Sequence, residues 1–427
     1  MTQSSEHQVS SPTLPTTRAW VTVVAVGVVA AAHIWKLPVA LPLLEAELGM
    51  SLITAGMLVG IIQLASMVGG LFVAWGGELA GLRRLLMLGL LLLAIGSCLG
   101  ATTSSTHFMM VFRAIEGIGF LLCTVLAPAL IRRICHPAQL NIALSSWGAF
   151  QGTATVIGFA GGGLLLELVS WRVLWVVMAA VTIVLLVLVA RFTEADPPLP
   201  DDKPLRGSFS RILNTVRTWR PWVAGLAFAS YTLQWMAVMG FLPTVFVAVD
   251  VDRLPAALLS ALVGGVNILG ALMVATLLNR GFRPRHIINV TFLVMSMSSI
   301  SFFAFDWAAN PLGFAGQLAC AIAFSMIGGT IPALLTRMAV DLAPQEGSVA
   351  AVIGLMQQIF NVGNFFGPAA LAWVVTATGS WEASWWVTCS CSLIGIVATF
   401  YLTRQPDAPP AGAHTRQEQT ALGGGSY

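Results

Sequence analysis

The stretch Ala74-Trp-Gly-Gly-Glu78-Leu-Ala-Gly81-Leu-Arg83-Arg84 recurs as Ala275-Thr-Leu-Leu-Asn279-Arg280-Gly-Phe-Arg283-Pro-Arg285, an offset of 201 residues. Each copy is a short basic loop between two apolar runs, and each run has the ~20 residues that a helix needs to cross the hydrocarbon core of a bilayer. Working outward, Pro128-Ala-Leu-Ile recurs as Pro332-Ala-Leu-Leu at an offset of 204, and Ser170-Trp171 as Ser380-Trp381 at 210. The order of features holds while the offset drifts through the loops. Two similar halves produced by duplication explain this economically, and such repeats are a common transporter signature.

Composition agrees with lipid as the solvent. Hydrophobic residues make up 57% of the 427 and charged residues 9%, with mean hydropathy +0.84, whereas soluble domains carry about 25% charged residues. A soluble enzyme is excluded. The net charge of +3 is too small to suggest nucleic-acid binding. Five of the six cysteines lie in apolar runs and the sixth, Cys135, beside Arg132 and Arg133, so they read as small hydrophobes rather than a disulfide framework.

Counting apolar runs predicts an all-α integral membrane protein with twelve spans in two pseudo-symmetric six-helix halves. The spans fall at 20–44, 52–76, 84–103, 108–131, 141–166 and 173–192, then at 221–249, 255–278, 287–306, 311–335, 348–374 and 383–403. Residues 1–19 and 404–427 read as disordered cytoplasmic tails, 20–192 and 221–403 as the halves, and 193–220 as the central cytoplasmic loop. The first apolar run is too long for a signal-peptide core and is expected to stay in the mature chain. With the N-terminus inside, 17 of the 21 Lys and Arg lie on the cytoplasmic side and only Arg172 and Arg253 outside. The positive-inside rule therefore puts both termini in the cytoplasm, with the inner cell membrane as the expected location.

Of the 39 charged side chains, only Lys36, Arg113 and Glu116 fall well inside the hydrocarbon region. A charge at that depth is costly unless paired or wetted, and so marks a candidate site. At 1.5 Å per residue, Lys36 in span one and Glu116 in span four both lie ~12 Å from the outer face. His33 is one turn deeper than Lys36, and Arg113 one turn shallower than Glu116. One reading makes Lys36 and Arg113 a cationic pocket for an anionic group, with Glu116 or His33 carrying a proton. The competing reading is a structural Lys36–Glu116 or Arg113–Glu116 pair that holds the half together. Further lining candidates share helical faces: Tyr231, Gln234 and Trp235 in span seven; Gln357, Asn361 and Asn364 in span eleven; Trp147 and Gln151 in span five. Helix–helix hydrogen bonding is the alternative for each. Glycines 148, 152, 158 and 161–163 should let span five approach a neighbour closely.

These features resemble the major facilitator superfamily over residues 20–403. The first loop is similar to its G-x-x-x-D-R-x-G-R-R signature, with Gly81, Arg83 and Arg84 in place but Ala74, Glu78 and Leu79 departing from it. Arg113-Ala-Ile-Glu116-Gly117-Ile-Gly119 resembles R-x-x-Q-G-x-G, with Glu116 in place of Gln. The span-five glycines resemble the antiporter motif, but Phe159 stands where that motif has Pro. His33-Ile-Trp-Lys36-Leu-Pro38 with Leu41-Pro42 is similar to the cyanate and nitroimidazole permease group, apart from an inserted Leu37. The resemblance implies that spans one and four line a central cavity. It also implies that Glu78, Gly81, Arg83 and Arg84, with Asn279, Arg280 and Arg283 in the second loop, form an inner latch between the halves. The helix start near Gly347 would be a dipole partner for Glu78.

The expectation is a secondary transporter working by alternating access on a small anion or zwitterion, with proton symport. Proton-driven efflux of drugs or metabolites is the alternative; a membrane-embedded enzyme and a transport-inactive sensor or scaffold are rivals from other classes. No nucleotide-binding loop, metal-ligand cluster or nucleophile–base pair stands out, so no cofactor and no metal are expected. The expected partners are a small-molecule substrate, the proton and the lipid bilayer, with the protein acting as a monomer and binding no nucleic acid.

Overall fold

The structure is a computed structural model that describes residues 14–196, 212–307, 309–344 and 349–403. Every regular element among them is helical, as a chain in lipid requires, because a helix satisfies its own backbone. Span one is Leu14–Leu48, three Leu82–Thr102, four Thr106–Ile134, six Trp171–Phe192, seven Trp219–Ala248, nine Pro284–Ala304 and eleven Val349–Thr378. The others are interrupted. Span two runs Leu52–Gly60, a 3-10 turn Ile61–Gln63, then Leu64–Ala80; span eight is Arg253–Gly265 and Asn267–Asn279; span ten is Gly313–Gly328 and Thr330–Leu342. Span twelve enters through the 3-10 turn Trp381–Ser384 into Trp385–Thr403.

Span five is the most broken. Pro137–Gly148 bends by 45° into the remainder, Phe150–Leu168, which contains a π-helical turn at Ile157–Gly161. Among the described residues, eleven helices are long and apolar enough to cross a membrane, or twelve with that bent pair taken as one span. Several spans overrun the expected edges, since a helix continues past the hydrocarbon into the headgroup region. The tails before residue 14 and after 403, most of the central loop, and Gly347 lie outside the described residues.

Each half has its own apolar interior. In the first, spans one, three, four and six pack around one another; in the second, span seven packs on eleven and twelve, and span nine on ten and twelve. The halves meet along spans two and eleven, where Gln358 Nε2 donates to the Val68 carbonyl at 2.9 Å. They also meet at spans one and seven, and at the outer parts of spans five and eight. There Gly163 abuts Ala257, and Gly264 abuts Thr155. The inner segment Pro137–Gly148 packs instead on spans one and four of its own half. On this flank the two halves are in contact where Phe150–Leu168 runs along span eight.

Candidate functional site

Spans one and four deliver the four deep polar residues to one point. Lys36 Nζ lies 2.5 Å from Glu116 Oε1, and Arg113 Nη1 lies 2.6 Å from Glu116 Oε2. His33 Nδ1 is 3.2 Å from both Lys36 Nζ and Glu116 Oε1. The equal depth inferred for Lys36 and Glu116 is thus a direct contact. Spans three and six complete the shell. Ser97 Oγ lies 2.7 Å from Lys36 Nζ, Thr182 Oγ1 2.9 Å from His33 Nε2, and the Trp175 ring lies under the Lys36 ammonium at 4.7 Å.

Hydrogen-bond counting assigns the protons. Ser97 Oγ donates to the Trp175 carbonyl at 2.7 Å, so it accepts from Lys36. All three Lys36 N–H groups then have acceptors in Glu116, Ser97 and His33, as a full ammonium requires. Thr182 Oγ1 donates to the Met178 carbonyl at 2.7 Å, so it accepts from His33 Nε2–H. A neutral ring with its proton on Nε2 has a bare Nδ1, which takes the remaining Lys36 N–H. Arg113 Nη1 also donates to the His33 carbonyl at 2.7 Å, while its Nε and Nη2 have no hydrogen-bond partner. Two cations face one carboxylate.

The location departs from the expected pocket. His33 and Glu116 are 0% exposed and Lys36 and Arg113 1%, enclosed by spans one, three, four and six of one half. Lys36 and Arg113 therefore present no free charge to the seam in this conformation, because Glu116 already holds both.

The seam instead carries aromatic rings. Trp35 of span one meets Trp235 of span seven edge-on at 5.5 Å and Phe159, on the π turn of span five, at 5.3 Å. Tyr231 stacks beside Trp235 at 6.4 Å. Trp235 Nε1 donates to Ser325 Oγ at 3.3 Å, and Asn267 Nδ2 donates to the Tyr231 hydroxyl at 3.1 Å and to the Ser325 carbonyl at 2.7 Å. Gln234 departs from the expected face. It is fully buried, and its Oε1 accepts from Ser392 Oγ of span twelve at 3.1 Å, inside the second half. Trp147 stacks on Phe150 at 4.4 Å and packs against Gly27. Gln151 is half-buried and its Oε1 has no hydrogen-bond partner. Gln357 is exposed and accepts at its carbonyl from Asn361 Nδ2 at 2.8 Å; Asn361 Oδ1 faces Asn364.

The inner loops also differ from the expected latch. Gly81 has φ +94° and starts span three. The Asp196 carboxylate accepts from the amides of Arg83 and Arg84 at 3.1 and 2.9 Å and pairs with Arg133 at 2.6 Å. Arg83 Nε donates to Thr193 Oγ1 at 3.0 Å and its Nη2 to the Ala190 carbonyl at 2.7 Å. Arg83 and the Arg84 amide are therefore anchored to the end of span six, within their own half. Asn279, Arg280 and Arg283 are exposed, and the Glu78 side chain lies outside the described residues. Sequence reasoning missed Asp196, Ser97 and Thr182. The last two carry a signal, since each has a hydroxyl counterpart in the other half, Ser299 and Ser392.

Comparison with known proteins agrees with the architecture. Methyl viologen resistance protein SmvA of Salmonella typhimurium is 30% identical over 185 residues, 41% of this chain and 36% of SmvA. Puromycin resistance protein pur8 of Streptomyces alboniger is 31% identical over 141 residues, 31% of this chain and 27% of pur8. Multidrug efflux pump LfrA of Mycolicibacterium smegmatis is 30% identical over 197 residues, 44% of this chain and 39% of LfrA. The matches thus span well under half of these relatives' length. Among solved structures, a bacterial homolog of the human lysosomal transporter Spinster, inward-facing and occupied, superposes with TM-score 0.75 at 15% identity, covering 92% of this chain and 99% of that one. A D-xylose-proton symporter superposes with TM-score 0.70 at 14% identity, covering 92% and 98%. At such identities the likeness is one of fold. The family model described as Major Facilitator Superfamily matches residues 23–359, and the chain belongs to that superfamily of membrane transporters.

Proposed function

We propose that this transporter exchanges protons for organic solutes with an aromatic, cationic or neutral body, exporting them across the inner cell membrane as a monomer with both termini in the cytoplasm. One observation carries this reading. Among the described residues, the charges deep within the spans pair with one another inside the first half, while the contact between the halves is made by Trp35, Phe159, Tyr231 and Trp235, rings that are themselves buried in this closed contact apart from the half-buried Trp235. Aromatic faces hold rings by stacking and cations through the ring quadrupole. An anion would find no fixed counter-charge there. The geometry therefore favours the efflux alternative over anion symport, and the resistance proteins and efflux pump among the relatives support the same choice.

Alternating access would rock the halves about the seam, with the polar cluster of spans one and four as the element that senses protons. The test uses proteoliposomes, acid inside, with methyl viologen and ethidium outside as permanently charged aromatic probes. Accumulation of at least one probe above protein-free liposomes, abolished by a protonophore, is the expected result. Accumulation of neither, with cyanate instead entering alongside protons when the gradient is reversed to acid outside, would overturn export in favour of anion symport.

A further inference from the structure

We infer that the exchangeable proton is carried by Lys36, with His33 as its first acceptor and Glu116 as a fixed counter-ion, a deepening that rests on the proton-coupled reading above. The argument is one of charge balance in an enclosed space. Protonating Glu116 would leave the ammonium at 2.5 Å and the guanidinium at 2.6 Å with no anion, in an interior where like charges are poorly screened. Removing a proton from Lys36 does the opposite: the Arg113–Glu116 pair remains and the cluster becomes neutral. A neutral amine can still donate to Glu116 and Ser97. An arginine guanidinium is effectively always charged in proteins and is not a proton donor in this sense.

The geometry supplies the first step. His33 Nδ1 lies 3.2 Å from Lys36 Nζ with its lone pair free, because Thr182 fixes the ring proton on Nε2. The Nζ–H bond breaks, its electron pair stays on the amine, and an Nδ1–H bond forms. The resulting imidazolium donates to Glu116 Oε1, 3.2 Å away. Charge is conserved in that transfer. When the site is wetted, the imidazolium passes its Nδ1 proton to water and the cluster falls from one net positive charge to none.

The groups facing Lys36 are few. Span four presents Arg113 and Glu116 and span one His33; span three presents Ser97, with Cys98 as its titratable neighbour, and span six Trp175 and Thr182, which do not titrate in this range. Trp35, next in the chain to Lys36, is the first-half ring that meets Trp235 across the seam. A cation held against those rings feels a net positive cluster when Lys36 is protonated and a neutral one when it is not. Solute binding thus favours proton loss, and proton return favours solute release. That is the sign exchange requires.

The test uses the full chain in proteoliposomes with ethidium as probe. Counterflow at equal pH needs no net proton movement, whereas accumulation by an acid-inside gradient does. Lys36→Met removes the proton and keeps the Arg113–Glu116 pair; Lys36→Arg keeps the charge but cannot release it. Both should retain ethidium counterflow, lose gradient-driven accumulation by about tenfold or more, and bind ethidium with an affinity that no longer rises with pH as it does in wild type. Wild-type accumulation in either variant would overturn the assignment. Loss of both variants from the membrane, or of counterflow in both, would make Lys36 a structural cation and overturn it equally. Counterflow absent from the wild type would instead count against the export reading itself.

Discussion

The interiors of the two halves are built on one plan and differ in charge. An offset of 201 carries His33 onto Gln234 and Lys36 onto Ala237; 204 carries Arg113 onto Gln317 and Glu116 onto Cys320; 210 carries Thr182 onto Ser392. The contact between His33 and Thr182 at 2.9 Å, joining spans one and six, has its counterpart in Gln234 and Ser392 at 3.1 Å, joining spans seven and twelve. Ser97, which ties span three to six, answers to Ser299, which ties span nine to twelve through Thr388 at 2.6 Å. Neutral hydrogen bonds thus suffice to close a six-helix half of this design. Buried ion clusters are in general no more stabilising than well-packed neutral replacements. The charges of the first half are therefore in keeping with the proposed proton exchange, a task that the amide and hydroxyl groups of the second half cannot perform.

The largest expected effect breaks the comparison at its most exposed point. Glu116→Gln leaves Lys36 and Arg113 buried with no anion and should cost about 3–5 kcal/mol, seen as a collapse in detergent-stable yield and melting temperature. Its counterpart Cys320→Ala, half-buried and uncharged, should cost about 1 kcal/mol. Similar losses at the two positions would mean that the first-half charges are not energetically coupled. Next in size is a transplant of the second-half chemistry: His33→Gln, Lys36→Ala, Arg113→Gln and Glu116→Cys together. Recovery of most of the folded yield lost in Glu116→Gln alone is expected, with ethidium counterflow but without gradient-driven accumulation. A transplant that still accumulates the probe would remove the cluster from coupling altogether.

The fold was legible because lipid enforces it: apolar runs, positive loops and the internal repeat each constrain the same architecture. Depth was legible too, since rise per residue places Lys36 and Glu116 at one level. Azimuth was not. Ile34, Trp35, Lys36 and Leu37 are all buried, so span one has no polar stripe to say which side faces the seam, and Lys36 turns inward where Trp35 turns to the other half. Gln234 escaped for the same reason, in a span with 20 buried residues from Pro221 to Phe246. Asp196 follows the last apolar residue of span six, where no periodicity remains to be read. Its role depends on the fold bringing residue 83 within 3.1 Å of it.

The two inner loops extend the comparison to backbone strain. The structural equivalent of Gly81 is Gly281, at an offset of 200 rather than the 201 that aligns the loops by sequence; their φ values are +94° and +85°. A Cβ on Gly81 would lie 2.4 Å from Asp196 Oδ2, whereas one on Gly281 meets nothing within 4 Å. Gly281→Ala should cost only the left-handed strain, about 1 kcal/mol. Gly81→Ala should cost more, because it also displaces the cap. Equal melting shifts for the two variants would show that Asp196 yields freely.

Asp196 itself gives the smallest expected effect, and its pH dependence identifies it. Burial works against the charged carboxylate, but the Arg84 amide, the Arg133 guanidinium and the Arg83 amide outweigh it and hold the group below the ordinary carboxylate range. A depressed folded-state value means that the ionised form is favoured by folding. The stabilisation is therefore complete above the unfolded-state value of about 4 and is lost as pH falls through the lower folded-state value. Asp196→Asn keeps the shape and removes the charge, and should lower stability by about 1 kcal/mol at neutral pH, in line with the loss of a helix cap. Between pH 7 and 5 the gap between variant and wild type should stay constant, and it should narrow only in more acid solution. Thermal melts of the two proteins in detergent across that range measure it. A gap that already closes by pH 6 would assign the loss to a different titrating group and leave Asp196 as a solvated loop carboxylate, no different in effect from the open loop at Gly281.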